Sequence, residues 1–315
     1  MSTEGVGRVL VRVMALVSAA TLLVGACSSG SSDPAPGNRS YSTTVTPPVT
    51  QEPVRVVAAG DIACQPGEPT TPVRCQQAAT ADLARSLHPD AVIALGDLQY
   101  EDGTLAAFRS SYDPTWGTLK AITRPIPGNH EYHTDGAAGY VAYWDDPPGW
   151  YAWDAGAWRI YMLDSTCGET DCRSEQAWLE RDLQDNPARC AAIAMHYPRF
   201  SSGAEHGSNP TMNRFWKIAY AEGVDLALAG HEHTYERFAA MDPDGRPDPA
   251  RGIVSFVSGV GGKSLYGLDP RVPGSEFAQN SAFGVLLLTL MPRSFRWRFV
   301  DIDGATLDRG SARCH

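Results

Sequence analysis

The sequence has no apolar run long enough to cross a membrane. Its N-terminal apolar stretch runs only from Met14 to Ala26, whereas a spanning helix needs about 20 residues. Arg8 and Arg12 precede this stretch and Val24-Gly25-Ala26-Cys27 ends it, a pattern typical of a bacterial lipoprotein signal. We therefore expect residues 1–26 to be a signal peptide and Cys27 to be lipid-modified. The alternatives are another type of export signal and a true membrane span.

The chain also lacks a positive net charge, since its formal charge is −10 at pH 7. An acidic chain does not attract nucleic acid non-specifically, so we expect no specific nucleic-acid binding. Membrane contact is expected only through the N-terminal lipid anchor. The protein would be exported, and either anchored to the outer face of a bacterial cell membrane or secreted. The sequence carries no indication of the oligomeric state.

No Cys-x-x-Cys motif occurs, which disfavours a zinc site built from thiolates. Beyond Cys27 the sequence has an even number of cysteines, as expected of disulfides in an exported protein: Cys64, Cys75, Cys167, Cys172, Cys190 and Cys314. Six cysteines allow 15 sets of pairs. Proximity favours Cys64–Cys75 and Cys167–Cys172, which leaves Cys190 to bind the C-terminal segment through Cys314. Metal ligation by these thiols is the alternative.

Composition divides the chain into three parts. After the signal, residues 27–53 are rich in Ser, Thr, Pro and Gly and have no apolar periodicity, which predicts a flexible tether. Residues 54–315 suit one large α/β domain or two small ones. No internal repeat is visible and apolar runs continue to the end, so the pattern favours one domain.

Five separate apolar runs end in residues that can bind a metal. Val54–Ala59 leads to Gly60-Asp61, and Ala91–Leu95 leads to Gly96-Asp97, with Tyr100 three residues later. Ile122–Pro127 leads to Gly128-Asn129-His130-Glu131. Ligands bind at the carboxyl ends of strands in open α/β sheets, so we expect these side chains to meet.

Two further runs supply histidines. Cys190–Met195 ends at His196, and Val224–Ala229 precedes Gly230-His231-Glu232-His233. Residues two apart on an extended segment point to the same side, so His231 and His233 can reach one centre. Taken singly, each residue has a structural alternative, such as a helix-capping aspartate, a turn asparagine, a core tyrosine or a buried core histidine.

The remaining pattern predicts elements around these strands. Helices are expected over Cys75–Leu87, Phe108–Leu119, Met212–Glu222 and Ser174–Asp185, the last capped by Ser174. Trp150–Asp164 is typical of a hairpin. Ile253–Val257, Val285–Met291 and Ser294–Val300 are expected to be strands that carry no obvious chemical groups.

The donor types indicate a class of metal. Two aspartates, an amide, a phenol and three imidazoles form a mixed hard and borderline set without thiolate. Seven side chains are too many for one four-coordinate ion and suit two ions that share a bridging carboxylate. Two ions about 3.5–4 Å apart can clamp an in-line displacement at phosphorus.

These blocks resemble those of the calcineurin-like metallophosphoesterases. The resemblance rests on Gly60-Asp61, Gly96-Asp97-x-x-Tyr100, Gly128-Asn129-His130-Glu131, His196 and Gly230-His231-x-His233. Most of that superfamily has an Asp-x-His first block. Here Ala63 takes the histidine position and Tyr100 supplies the missing ligand, as in the purple acid phosphatases.

The resemblance implies a fold and a ligand set. The fold would be a four-layer α/β/β/α sandwich of two mixed sheets, with a dinuclear metal site at the C-terminal edges of the strands. One ion would be held by Asp61, Asp97, Tyr100 and His233. The other would be held by Asp97, Asn129, His196 and His231.

The resemblance also implies ferric iron at the tyrosine site and a divalent iron, zinc or manganese ion at the other. A phenolate is a hard anion and independently favours a trivalent ion. His130 is implied as a hydrogen-bond donor to the substrate. His206, in Ala204-Glu205-His206-Gly207, is implied to assist the leaving group.

Three functions follow from this site. The first is hydrolysis of a phosphate monoester, a small phosphorylated substrate, outside the cytoplasm. The second is a phosphodiesterase or nucleotidase that uses the same metal centre. The third is a non-catalytic, metal-binding protein of the cell surface.

Overall fold

Two mixed β-sheets form the centre of the computed structural model, which describes residues 52–315. The first sheet has six strands in the order β13-β12-β11-β1-β2-β3. Its strands are β1 (Val54–Ala59), β2 (Ala91–Leu95), β3 (Thr123–Ile126), β11 (Gly284–Met291), β12 (Ser294–Asp301) and β13 (Thr306–Arg313). β1, β2 and β3 are parallel, and β11, β12 and β13 extend the sheet antiparallel from β1.

The second sheet has seven strands in the order β10-β8-β9-β7-β6-β5-β4. These are β4 (Tyr151–Ala155), β5 (Trp158–Met162), β6 (Cys190–Ala194), β7 (Leu226–Ala229), β8 (Tyr235–Met241), β9 (Ile253–Ser258) and β10 (Ser275–Gln279). β5, β6, β7 and β9 are parallel neighbours. Both sheets therefore contain a parallel block whose carboxyl ends can carry a site.

The two sheets pack face to face through one apolar core. Val56 and Ile93 of the first sheet and Met162 and Leu228 of the second belong to it and are buried. Helices cover the outer faces: α1 (Gln77–Ser86), α2 (Leu105–Ala107) and α3 (Ala138–Tyr143) belong to the first sheet's side, and α4 (Cys172–Asp185) and α5 (Asn213–Ala221) to the second's. The predicted four-layer sandwich of two mixed sheets is confirmed.

Several predicted elements have different boundaries. The segment expected to be a helix over Phe108–Leu119 is a π-helical turn at Phe108–Tyr112 followed by a 3-10 helix at Trp116–Ile122. The two are separate because the chain turns between them at Pro114. Asp171, not Ser174, caps α4, since its side chain accepts a hydrogen bond from the Ser174 N–H at 3.2 Å.

Strands β8, β10 and β13 were not predicted. From Asp308 onward, β13 alternates buried or half-buried residues with exposed ones, but its sequence Thr-Leu-Asp-Arg-Gly-Ser-Ala-Arg is mostly polar. It lies at the edge of its sheet, where one strand face needs no apolar side chains. The hairpin of β4 and β5 was predicted and is confirmed.

Three disulfides join the pairs that proximity favoured: Cys64–Cys75, Cys167–Cys172 and Cys190–Cys314. They exclude metal ligation by these thiols. Cys27, the signal and most of the tether lie outside the described residues, and the division into domains stays a prediction. Within residues 52–315, none of the helices has the length and apolarity needed to span a membrane.

Candidate metal centre

The carboxyl ends of five parallel strands bring the seven candidate ligands together. Asp61 follows β1, Asp97 and Tyr100 follow β2, and Asn129 follows β3. From the other sheet, His196 follows β6, and His231 and His233 follow β7. All seven side chains lie where the edges of the two sheets meet, because both parallel blocks end at the same side of the sandwich.

One group of donors surrounds the Tyr100 hydroxyl. This oxygen lies 2.9 Å from Asp61 Oδ1, 3.0 Å from Asp97 Oδ2 and 3.0 Å from His233 Nε2. His233 Nε2 is also 3.3 Å from Asp61 Oδ1. Asp61, Tyr100 and His233 are at most 2% exposed, so this end of the site is closed to solvent.

A second group surrounds His196 Nε2. This nitrogen lies 3.2 Å from Asn129 Oδ1, 3.2 Å from His231 Nδ1 and 3.3 Å from Asp97 Oδ2. Asp97 Oδ2 thus belongs to both groups. A carboxylate at the boundary between two donor sets is the arrangement that a bridging ligand requires.

Two of the imidazoles are fixed by a hydrogen bond at Nδ1, the ring nitrogen that faces away from the site. His196 Nδ1 lies 2.8 Å from the Leu95 carbonyl oxygen, and His233 Nδ1 lies 2.8 Å from Ser264 Oγ. A carbonyl only accepts, so His196 carries a proton on Nδ1 and its Nε2 faces the site. Fixing the second nitrogen in this way orients a histidine ligand.

The backbone turns sharply at three of the ligands. Asp61, Asp97 and His231 have φ values of 59°, 50° and 71°, a left-handed conformation that costs a non-glycine residue of order 1 kcal/mol or more. His231 N–H donates to Asp61 Oδ2 at 2.8 Å, which offsets part of this cost. Such strained conformations cluster at functional sites.

Gly128 is required by close packing under Asp97. A Cβ at this position would lie 2.2 Å from Asp97 Oδ1, well inside van der Waals contact. The glycine in Gly-Asn-His therefore allows the Asn129 loop to approach the shared carboxylate.

Glu131 is a structural part of the site to which sequence reasoning gave no role. It is fully buried, and its two carboxylate oxygens accept four backbone N–H bonds at 2.8–3.1 Å, from Asp97, Leu98, Gln99 and Gly128. It thereby joins the loop after β2 to the loop after β3. Its place in the Gly-Asn-His-Glu block was the only available signal.

The loop after β9 contributes side chains to the site, and the sequence reasoning made no prediction for it. Ser264 contacts His233, and Tyr266 stacks on the His233 ring with centroids 3.8 Å apart. Lys263 Nζ lies 4.8 Å above the Tyr100 ring and forms ion pairs with Glu68 and Glu101. No apolar run ends in a metal-type ligand here, so the pattern could not indicate this loop.

The electrostatics of the cluster favour a bound cation. Burial and then the Asp61 and Asp97 carboxylates raise the pKa of Tyr100 well above its usual value. Burial and then His196 lower the pKa of His231 to about 2, so its imidazole is neutral and can act as a ligand. The buried carboxylates of Asp61 and Asp97 are costly to hold without positive charge beside them.

Asp97 remains ionised in this environment. Burial opposes its charge, but His196 and His130 outweigh burial and hold the pKa of Asp97 below its usual range. The carboxylate is therefore available as a shared ligand at any physiological pH.

The two histidines implied to act on substrate lie at the margin of the cluster. His130 Nε2 is 3.9 Å from Asp97 Oδ2, and His130 Nδ1 is 2.6 Å from the Glu101 carbonyl oxygen. The exposed His206 stacks on His231 with ring centroids 4.1 Å apart. Its backbone N–H donates to the Glu232 carboxylate at 2.6 Å, which fixes the loop.

A hollow of about 250 Å³ opens beside Asn129. Tyr132 and Tyr197 contribute to its walls, and Glu169 lies at its rim. The Tyr197 ring also meets the His231 ring edge-on at 4.5 Å. The Asn129 side of the cluster is therefore open, in contrast to the closed Tyr100 side.

Residues 54–235 match the family described as calcineurin-like phosphoesterase. The match covers more than half of the chain, and its span contains all seven candidate ligands. The protein therefore belongs to the calcineurin-like phosphoesterase family.

Within this family the chain is similar to purple acid phosphatases. It is 26% identical over 268 residues to purple acid phosphatase 21 of Arabidopsis thaliana, covering 75% of this chain and 57% of that protein. It is 24% identical over 304 residues to tartrate-resistant acid phosphatase type 5 of Oryctolagus cuniculus, covering 81% and 89%.

A solved structure shows the same fold. A purple acid phosphatase isolated from yellow lupin (Lupinus luteus) seeds matches with a TM-score of 0.64 and 20% identity, covering 83% of this chain and 54% of that one. The chain thus spans about half the length of these two plant proteins and most of the rabbit protein. The similarity to purple acid phosphatases implies a dinuclear metal centre, and the two donor groups that share Asp97 fit one.

Proposed function

We propose that the protein hydrolyses phosphate monoesters at a dinuclear metal centre. The observation that carries this proposal is the pair of donor groups around Tyr100 and His196, which share Asp97 Oδ2. Asp61, Asp97, Tyr100 and His233 would hold one ion, and Asp97, Asn129, His196 and His231 the other. Two bound ions would polarise the phosphoryl group and activate a water molecule for in-line attack.

The protein's own residues would bind and orient the ester. His130 lies on the substrate side of Asp97, and its Nδ1 donates to the Glu101 carbonyl. Its Nε2 can therefore donate a hydrogen bond to a phosphoryl oxygen only in the imidazolium form, in which both ring nitrogens carry a proton. His206, above His231, can give a proton to the leaving oxygen. The hollow beside Asn129 offers space for the leaving group.

Replacement of the shared carboxylate tests the proposal. Asp97→Asn removes the charge common to both donor groups, so hydrolysis of an aryl phosphate should fall by at least about 1,000-fold, equivalent to ~4 kcal/mol of activation free energy. Circular dichroism should show an intact fold. Asp82→Asn, at an exposed position on α1, is the matched control and should retain activity; normal turnover by Asp97→Asn would refute the assignment.

We propose ferric iron at the Tyr100 side and a divalent iron, zinc or manganese ion at the other. A phenolate favours a trivalent ion, and Tyr100 would need such a strong cation to lose its proton at this buried position. Protein purified without added metal should be violet from phenolate-to-iron charge transfer, and Tyr100→Phe should abolish the band. A colourless, fully active zinc or manganese enzyme would contradict only the iron assignment.

The preference for monoesters over diesters is tested with a substrate panel. The three similar proteins described above are all named acid phosphatases, which favours monoesters. We expect kcat/KM for phenyl phosphate to exceed that for bis-aryl phosphodiesters. The opposite order would assign a phosphodiesterase to the same metal centre.

We propose that the reaction takes place outside the cytoplasm. Three disulfides are typical of oxidising compartments, and the N-terminal sequence is typical of an exported lipoprotein. A fatty-acid label should be incorporated into the wild-type chain and lost from Cys27→Ala. Equal labelling of both chains would exclude the anchor at Cys27.

A further inference from the structure

Six exposed arginines lie together at one edge of the sandwich. We call them the arginine face, and they are Arg189, Arg293, Arg296, Arg298, Arg309 and Arg313. Three of them line a hollow of about 560 Å³ on β12 and β13, and the other three line an adjoining hollow of about 450 Å³. The residues lining these two hollows include no carboxylate.

Strand register makes this face continuous. Arg298 is directly opposite Arg309, Arg296 is opposite Ser311, and Ser294 is opposite Arg313. Neighbouring strands are about 4.8 Å apart, so these guanidinium groups rise from one small area of sheet. α1 to α3 pack against the same outer sheet layer nearer β1 and β2, and they leave this part uncovered.

The arginines of this face are not neutralised within the described residues, where none forms an ion pair within 4.0 Å. Some arginines elsewhere are paired: Arg159 contacts Asp182 at 2.8 Å, and Arg237 contacts Asp308 at 2.8 Å. Since the whole chain carries a net charge of −10, a cluster of unpaired cations is a local reversal of sign. It attracts anions although the protein as a whole repels them.

The face lies at the end of the sheet away from the metal site. In the ladder, Arg55 is opposite Thr289 and Thr289 is opposite Arg296. Arg55 stands at the start of β1, whereas Asp61 follows its end. The chain therefore enters the fold at Val54 beside the arginine face, and the candidate ligands lie at the opposite edge.

We propose that the arginine face binds the surface of a bilayer containing anionic lipids and that the metal centre then points away from the membrane. A broad, shallow array of cations suits many lipid phosphates better than one small ligand. The segment that precedes Val54 carries the predicted lipidation site, so an anchored chain would be held close enough to a bilayer for this face to reach it. The inference does not depend on the proposed catalytic activity.

Vesicle binding tests this proposal. The full-length chain carrying Cys27→Ser is mixed with vesicles of phosphatidylcholine, alone or with about one-third phosphatidylglycerol. The variant Arg296→Gln/Arg298→Gln/Arg309→Gln is compared with Arg109→Gln/Arg181→Gln/Arg214→Gln. The control changes the net charge equally at exposed positions outside the face.

The face variant should bind the anionic vesicles on the order of 50-fold more weakly, at low salt, than the chain in which only Cys27 is substituted. The control should bind like that chain, and the difference should disappear at high salt. All chains should bind neutral vesicles equally, because the N-terminal apolar segment contributes the same in each. Activity on a soluble aryl phosphate should be unchanged.

Two outcomes would overturn the inference. In one, the face and control variants bind anionic vesicles equally. In the other, the face variant loses binding only to a soluble polyanion such as polyphosphate, which would assign the face to a different ligand.

Discussion

At the scale of single residues, the candidate ligands are positioned by neighbours that never touch the proposed ions. Ser264 holds His233 through Nδ1, and the Leu95 carbonyl holds His196 in the same way. Tyr266 covers the His233 ring and Lys263 covers the Tyr100 ring. These contacts fix which ring atom faces the site before any ion binds.

Loss of one such contact should weaken metal binding without breaking the fold. Ser264→Ala removes the partner of His233 Nδ1, so metal affinity should fall by roughly 10-fold, as is typical of residues that orient a ligand. Competition with a chelator measures the change. Ser281→Ala, at an exposed serine, is the control. Equal metal affinity in both variants would show that the Ser264 contact does not contribute to metal binding.

A buried acid outside the site should make stability depend on pH. Glu175 is fully buried; its Oε1 accepts from Asp164 N–H, and its Oε2 has no partner among the described residues. Burial, followed by the Asp164 carboxylate, raises the pKa of Glu175 to about 9. The folded state therefore holds this proton more tightly than the unfolded state, and stability should fall as pH rises from about 5 towards 9.

Glu175→Gln removes this dependence. The variant should be more stable than the original chain by about 1–3 kcal/mol at pH 8 and nearly equal at pH 5. Urea unfolding at the two pH values measures the difference. Glu180→Gln, at an exposed position on the same helix, should show no such change. If Glu175→Gln changed the free energy of unfolding equally at both pH values, packing rather than charge would be the cause.

At the scale of elements, the site consists of strand ends joined by side chains. Glu131 connects the loops after β2 and β3 through four backbone N–H groups. Glu232 accepts from the His206 and Gly207 N–H groups and connects the loop after β7 to the His206 loop. Buried carboxylates thus replace regular secondary structure where the strands have ended.

Removal of the Glu131 carboxylate should loosen both loops. Glu131→Ala leaves four buried N–H groups without their acceptor, so the free energy of unfolding should fall by roughly 2–4 kcal/mol, and metal content should fall with it. Thermal unfolding and elemental analysis measure the two effects. The exposed Glu169→Ala serves as the comparison, and identical stability of both variants would contradict this role.

At the scale of the whole molecule, the Cys190–Cys314 disulfide links the centre of the second sheet to the C-terminal end of the first. The two cysteines are 124 residues apart, whereas Cys167 and Cys172 are 5 apart. In the chain-entropy description, a disulfide that closes a longer loop restricts the unfolded chain more strongly.

Removing each disulfide should therefore have unequal effects. Cys190→Ser/Cys314→Ser should lower the free energy of unfolding by about 5 kcal/mol and Cys167→Ser/Cys172→Ser by about 2 kcal/mol. Chemical unfolding of both double variants measures the difference. A larger loss from the short-range pair would show that local strain or packing, rather than loop length, dominates.

The sequence by itself determined the α/β class and the set of candidate ligands and favoured the disulfide pairs, and its resemblance to the metallophosphoesterases implied the four-layer sandwich. It could do so because strand-length apolar runs ended in Asp61, Asp97, Asn129, His196 and His231, and such local patterns are legible without coordinates. It could not show Glu131, Lys263 or Ser264 as parts of the site, or place the polar strand β13. Their roles come from contacts between segments far apart in the chain. Only the tertiary structure decided these contacts, because burial and long-range pairing, not local pattern, fix what a polar side chain meets.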